Sequence, residues 1–147
     1  MKGYKVFNSD FKCRDMQFSE NTEFSINVKP ILCEQGFHFC EFAGDCFNYY
    51  DFKPENIICE VEAIGKIHTK DDENKHCTNH IKIGRRLTWE EVLKVANKGR
   101  NNAGHSNTGY SNTGNRNTGD RNTGDRNTGD RNTGDRNTGD RNTGDRN

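Results

Sequence analysis

The sequence predicts a chain in two parts, a small α+β domain over residues 1–96 and an ordered repetitive segment over residues 97–147. Three observations carry this. Apolar residues are confined almost wholly to the first part: between Asn97 and Asn147 the only members of the hydrophobic set are Ala103 and Tyr110. The first part mixes period-two alternation with helical spacing. The second repeats every five residues without a break.

The elements of the first part follow in order. Tyr4 and Val6 alternate with polar neighbours and open a first strand. Phe24, Ile26 and Val28 repeat the pattern until Pro30, which has no amide to give a ladder. Gly36 leads into Phe37 and Phe39, an aromatic strand. Phe42, Cys46, Phe47 and Tyr50 then recur at helical spacing. The clearest strand is Ile57–Ala63, with Ile57, Cys59, Val61 and Ala63 on one face and Glu60 and Glu62 on the other. The stretch Lys70–His80 breaks the pattern and reads as a loop, and a short strand carries Ile81 and Ile83. A second helix opens at Thr88, whose hydroxyl can cap first-turn amides while Glu91 reaches back to the cap residue. Trp89, Val92, Leu93 and Ala96 give that helix an apolar side.

Charge excludes some partners. Residues 1–96 hold 13 Lys and Arg against 16 Asp and Glu, and the rest 9 against 6, so the 147-residue chain is neutral. Neither part is polarised enough to select nucleic acid or a membrane. No apolar run approaches a membrane span and no signal-peptide core follows Met1, so a cytoplasmic protein in the host cell is expected. The six cysteines, Cys13, Cys33, Cys40, Cys46, Cys59 and Cys77, are then expected reduced and mostly buried.

In the second part Asn recurs at every fifth position from 97 to 147, with Gly two residues after each one through Gly144. The pentads read NKGRN, NAGHS, NTGYS and NTGNR, then six identical copies of NTGDR. Asn and Gly hold their places in the divergent copies while the last two positions change, a constraint that a disordered linker would not need. In an extended segment Asn and Gly share one face and Thr the other. The structural repeat positions are thus Asn117, Gly119, Asn122, Gly124, Asn127 and Gly129 and their equivalents.

With those residues the segment resembles the Asn-X-Gly-rich branch of the pentapeptide-repeat proteins. The resemblance implies a right-handed quadrilateral β-helix, a solenoid with four pentads per coil. Asn and Gly would face inward and Thr, Asp and Arg outward, and ten pentads would stack to about 12 Å. Residues twenty apart would then superpose, Arg121 on Arg141 and Asp120 on Asp140, with each Arg beside an Asp. The segments YKVFN (4–8), GFHFC (36–40), CFNYYD (46–51), CEVEAIG (59–65) and LTWEEVL (87–93) together resemble an uncharacterised domain found ahead of such arrays in bacterial and bacteriophage proteins.

Candidate chemistry in the first part is thin. His76, Cys77 and His80 lie close in sequence and Cys33, His38 or Cys40 could complete a zinc set, but the spacing matches no common structural-zinc pattern. His38 and Cys40 project to one side of a strand without a third, orienting group. The order of aromatic strand, paired tyrosines and a strand bearing Glu60 and Glu62 also occurs in ADP-ribosyltransferase-like folds, but no partner motif for nicotinamide is present. No GxxxxGK[ST] and no GxSxG motif occurs. No catalytic, cofactor-binding or metal residue is therefore assigned.

The expected function is a non-enzymatic protein-interaction module of phage or mobile-element origin. It would bind, and thereby inhibit, a host protein such as a defence or nucleic-acid-processing complex. An ADP-ribosyltransferase-like head with a docking arm and a virion-associated spacer are the alternatives. Arg121, Asp125, Arg126, Arg141 and Asn147 form the expected interaction surface. Because the array ends in mid-pentad at Asn147, the expectation is homo-oligomerisation through residues 137–147, a partner docked there, or a natural chain that runs further.

Overall fold

A computed structural model describes residues 1–70, 73–97 and 102–147. The chain divides into two compact units, Met1–Trp89 and Glu90–Asn147. Among its described residues the first has nine strands, β1 (Lys2–Phe7), β2 (Lys12–Cys13), β3 (Met16–Gln17), β4 (Thr22–Ser25), β5 (Phe37–Cys40), β6 (Ile57–Ala63), β7 (Ile67–Thr69), β8 (Lys75–Thr78) and β9 (His80–Arg86), with a helical turn α1 (Ala43–Cys46) between β5 and β6. Seven strands form one antiparallel sheet in the order β4-β9-β6-β1-β5-β8-β7, and β2 and β3 make a separate hairpin.

The alternation written in the sequence decides which side of the sheet is filled. Phe7, Ile57, Cys59, Val61, Ala63, Ile81 and Ile83 join Phe18, Phe37 and Phe39 in one buried cluster. Phe18 lies at its centre, with ring centroids 5.0 Å from Phe7, 4.8 Å from Phe24 and 6.0 Å from Phe37. Burying aromatic rings of this size stabilises a domain by about 2–3 kcal/mol each.

Two expectations for this unit need correction. The stretch Lys70–His80 contains β8, which pairs with β5 on one side and β7 on the other and buries His76, Cys77 and Thr78. The two histidines made the segment look polar, yet both are absorbed by neighbours. His76 Nδ1 lies 2.7 Å from the Thr69 hydroxyl and His80 Nε2 lies 3.1 Å from Glu23. The helix expected over Phe42–Tyr50 is only Ala43–Cys46, followed by tight turns through Asn48 and Tyr49. Gly44 weakens helix within that turn, and Phe42, 59% exposed, adds nothing to the buried face.

Helix α2 (Trp89–Val95) starts directly after Thr88 as the capping pattern predicts, and from Glu90 onward it opens the second unit. Asn97 joins this helix to the repeat. Its side-chain amide donates to Leu93 O (2.7 Å) and to Gly104 O (3.0 Å), and its Oδ1 accepts the Asn107 amide (3.0 Å). Ala96 O accepts the Ser106 amide at 2.8 Å. The helix end thus serves as the first rung of the ladder, the covering that a stacked repeat requires at its start.

The repeat itself departs from the quadrilateral expectation. Parallel bridges connect residues ten apart, in one column through Ala103, Thr113, Thr123, Thr133 and Thr143 and in another through Thr108, Thr118, Thr128 and Thr138. A turn of the stack therefore contains two pentads and not four. Asp120 is the neighbour of Asp130, and Arg121 has Arg131 between itself and Arg141. The physical reason lies in the last three residues of each pentad. Gly124 has φ +108° and Arg126 has φ +61°, and every equivalent pair is similar. Two positive-φ residues, one on either side of Asp125, reverse the chain, where a corner would only have bent it.

Candidate functional site

Within the repeat, all five amides of a pentad are spent on neighbouring turns. In the pentad from Asn122, Asn122 N–H donates to Asn112 Oδ1 (2.9 Å) and Thr123 N–H to Asn132 O (2.8 Å). Gly124 N–H donates to Thr113 O (2.9 Å), Asp125 N–H to Asp135 Oδ1 (2.8 Å) and Arg126 N–H to Asn115 O (2.8 Å). The Asn side chains carry the interior. Asn112, Asn117, Asn122, Asn127, Asn132 and Asn137 are fully buried, and Asn122 Nδ2 donates to Gly129 O at 2.7 Å while its Oδ1 accepts the Asn132 amide at 2.9 Å. Among the described residues, no buried side-chain nitrogen or oxygen lacks a partner. A stack with no apolar core is held by such ladders.

Glycine is needed for a different reason from the one the alternation suggested. Gly119, Gly124 and Gly129 are only half-buried. A Cβ on Gly124 would run into the backbone carbonyl of Gly134 in the next turn, and Gly119 and Gly129 face Gly129 and Gly139 in the same way. The fourth position also has a structural duty that sequence reasoning missed. Asp125 Oδ1 accepts the Asn115 amide at 2.7 Å, and Asn115 Oδ1 accepts the His105 amide at 3.1 Å. From Asn115 onward this position is always Asn or Asp, the two side chains that place an acceptor at that reach. That restriction was the available signal.

The expected interaction surface falls on two sides of the stack. Arg121 and Arg141 stand in one column, with Arg131 between them and Tyr110, Asp120, Asp130 and Asp140 beside them around a groove of about 420 Å³. The Arg121 guanidinium lies 5.6 Å from the Tyr110 ring centroid. Asp125 and Arg126 belong to the opposite column, in register with Asp135 and Arg136. The aspartate carboxylates turn to backbone amides of the neighbouring turn. Asn147 donates its amide to Asn137 Oδ1 (3.0 Å) and its side chain to Thr143 O (2.9 Å).

The head holds a second candidate, a cavity of about 390 Å³ whose walls include Lys5, Cys13, Arg14, His38, Tyr50 and Lys75. Strand β1, hydrogen-bonded between β6 and β5, fixes Lys5 at the floor. Only 4% of Lys5 is exposed, with Nζ 2.7 Å from His38 O, 3.7 Å from Cys13 Sγ and 5.5 Å from the Phe7 ring centroid. Burial lowers its pKa, opposed in part by the nearby thiols of Cys13 and Cys46. Cys13 Sγ lies 3.2 Å from the Tyr50 hydroxyl, and burial, then the bond to Cys13, raises the tyrosine pKa. His38 Nε2 accepts the Cys33 amide at 2.8 Å, so the ring is neutral. Burial and the cations Lys5, Lys75 and Arg14 hold its pKa down to about 4. This bond commits Nε2 to the Cys33 amide. Cys40, the other half of the sequence pair, is buried.

Sequence reasoning overlooked this cavity because Lys5, Arg14 and Lys75 are distant in the chain. One signal was available, since Lys5 alternates with Phe7 and therefore shares its buried face. Among the described residues, no group of three or more His, Cys, Asp or Glu is arranged to hold a metal ion, and His76, Cys77 and His80 do not converge with Cys33, His38 or Cys40 on one point. No helix among the described residues is long and apolar enough to cross a membrane.

Comparison with known proteins also divides the chain in two, but after residue 95, so that α2 falls with the first part. Residues 1–95 match a family described as a domain of unknown function, DUF7666, and residues 96–135 and 112–147 match pentapeptide repeats. No curated protein and no solved structure matches. Since the first match covers well over half of its length, the chain belongs to the DUF7666 family and carries an array of pentapeptide repeats behind that domain.

Proposed function

We propose that the chain is a non-enzymatic interaction protein in which the repeat array is the docking surface. One observation carries the reading. The ladder absorbs the backbone amides and one oxygen of each aspartate, leaving regular columns of arginine and threonine side chains outward. Such a surface has a backbone of fixed spacing and so little backbone entropy to lose on binding, which favours a protein partner with a complementary charged face. The alternation of Asp with Arg disfavours nucleic acid, where useful affinity needs uncompensated basic charge.

The resemblance of the head to domains placed ahead of such arrays in bacterial and phage proteins supports a host protein as the partner. Inhibition of a defence or nucleic-acid-processing complex is the reading consistent with that origin. Affinity capture from host extract by the full chain tests it, run in parallel with a variant carrying Arg121→Ala, Arg131→Ala and Arg141→Ala. A partner retained by the parent and lost by the variant is the expected result. Transfer of label from labelled NAD to host protein, or capture unaffected by the three substitutions together with their counterparts on the opposite column, would overturn it.

A further inference from the structure

We propose that the cavity in the head binds a small oxyanion, a phosphate ester or carboxylate, held by Lys5, Arg14 and Lys75. This stands apart from the docking role of the repeat. Among the described residues the walls bring three cations together and include no carboxylate, while Asp15 lines an adjoining hollow that shares Lys5 and Arg14. Lys5 is the informative group. An ammonium nine-tenths buried is ordinarily paired with an anion, yet its contacts are one carbonyl, one thiol and the faces of Phe7 and Phe18. A bound oxyanion supplies the missing charge.

The rest of the cavity suits that occupant. Arg14 has φ +53° at the tip of the β2–β3 hairpin, a left-handed conformation uncommon for arginine, and this turn is part of the cavity wall. Lys75 Nζ lies 4.2 Å from the Tyr49 ring centroid, and the Tyr49 hydroxyl contacts Glu73 at 3.3 Å. The Glu73 carboxylate is therefore engaged by a tyrosine. Tyr49 and Tyr50 offer ring faces for an apolar body behind the anion, and about 390 Å³ lies within the range of small-molecule sites.

Pyridoxal phosphate is a suitable probe because it carries both an oxyanion and an amine-reactive aldehyde. A lysine Nζ attacks the aldehyde carbon, the aldehyde oxygen leaves as water, and borohydride delivers hydride to the resulting imine to leave a stable secondary amine. Peptide mass spectrometry of the treated full chain then shows which lysines react. Lys5 or Lys75 should be modified ahead of Lys2, Lys53 and Lys66. Arg14→Ala should lower that modification on the order of tenfold, the loss of one charge-assisted contact. Inorganic phosphate and benzoate, added separately as competitors, separate a phosphate site from a carboxylate site by which one protects. In Lys5→Met, which keeps the length and packing of the side chain, the adduct should remain at Lys75 alone. Modification spread evenly over surface lysines, protection by neither competitor, or no effect of Arg14→Ala would each overturn the proposal.

Discussion

Replacing Asn122 by Ala is the most direct test of how the repeat is held. The substitution leaves the Asn122 backbone bonds in place and removes two side-chain partners that nothing else replaces. The Asn132 amide loses its acceptor at 2.9 Å, and Gly129 O loses its donor at 2.7 Å. Thr118 O, 3.5 Å from the same side chain, keeps the Gly129 amide at 2.9 Å. The buried Asn132 amide left without a partner costs about 1–3 kcal/mol, the half-buried Gly129 carbonyl about 0.5–1.5 kcal/mol, and the small void about 1 kcal/mol, giving roughly 2.5–5.5 kcal/mol. Asp125→Ala also removes one acceptor, from the Asn115 amide. That amide lies at a half-exposed position where water can substitute, so about 0.5–1.5 kcal/mol is expected. Urea titration of the full chain gives the totals, and amide exchange at Asn132 and its neighbours shows whether the loss is local. An Asn122→Ala variant within about 1 kcal/mol of the parent, or no weaker than Asp125→Ala, would refute the ladder as the source of stability.

Two further outcomes follow from the geometry. Gly124→Ala should disrupt the stack while Gly139→Ala should be mild in comparison: the added carbon meets the Gly134 carbonyl in the first case and only Asn142 Nδ2 at 3.7 Å in the second. Circular dichroism melts of the two variants check the order, and equal losses would point to the positive φ that both share, +108° and +99°, as the whole cost. Acid should also weaken the fold. His38 and His105 are both held down to about 4, His38 by burial and then by Lys5, Lys75 and Arg14, His105 by burial and then by Arg116. Each therefore takes up its proton more readily unfolded than folded. Stability is complete above the ordinary histidine pKa of about 6.5, falls as the pH drops from there toward 4, and levels off below it. Each ring contributes at most about 1.4 kcal/mol per pH unit across that window, less where water reaches it. Titration of the ring protons by NMR is the check, and a midpoint near 6.5 for either residue would contradict the geometry.

The sequence made the repeat legible in part. Strict Asn and Gly positions announced an ordered stack with an Asn interior, and the structure places Asn117, Asn122 and Asn127 there. The number of pentads per turn was not legible, because identical copies superpose equally well ten or twenty residues apart. Only the backbone angles of Gly124 and Arg126 decide it. In the head, Ile57–Ala63 was read with its true limits because four apolar residues alternate with two glutamates. Strand β8 was hidden because His76 is buried by a bond to Thr69, a partner seven residues away that no local pattern marks. The cavity was hidden for the same kind of reason, since its cations come from three separate strands and turns.

The ten-residue turn has a consequence for how the array can change length. A contact made by one NTGDR copy is made again by every copy with turns stacked on both sides, so a copy gained or lost inside the identical run disturbs no interior bond. An even number of copies leaves every downstream side chain on its original side. A single copy transfers all of them to the other side, and among identical pentads that exchange is invisible to the fold. It is visible where the copies differ. Tyr110 lines the groove beside Arg121, and one pentad inserted between them would turn that aromatic ring toward the column of Arg126 instead. Array length in this protein is therefore a variable with two settings, parity and extent, and selection can act on each separately.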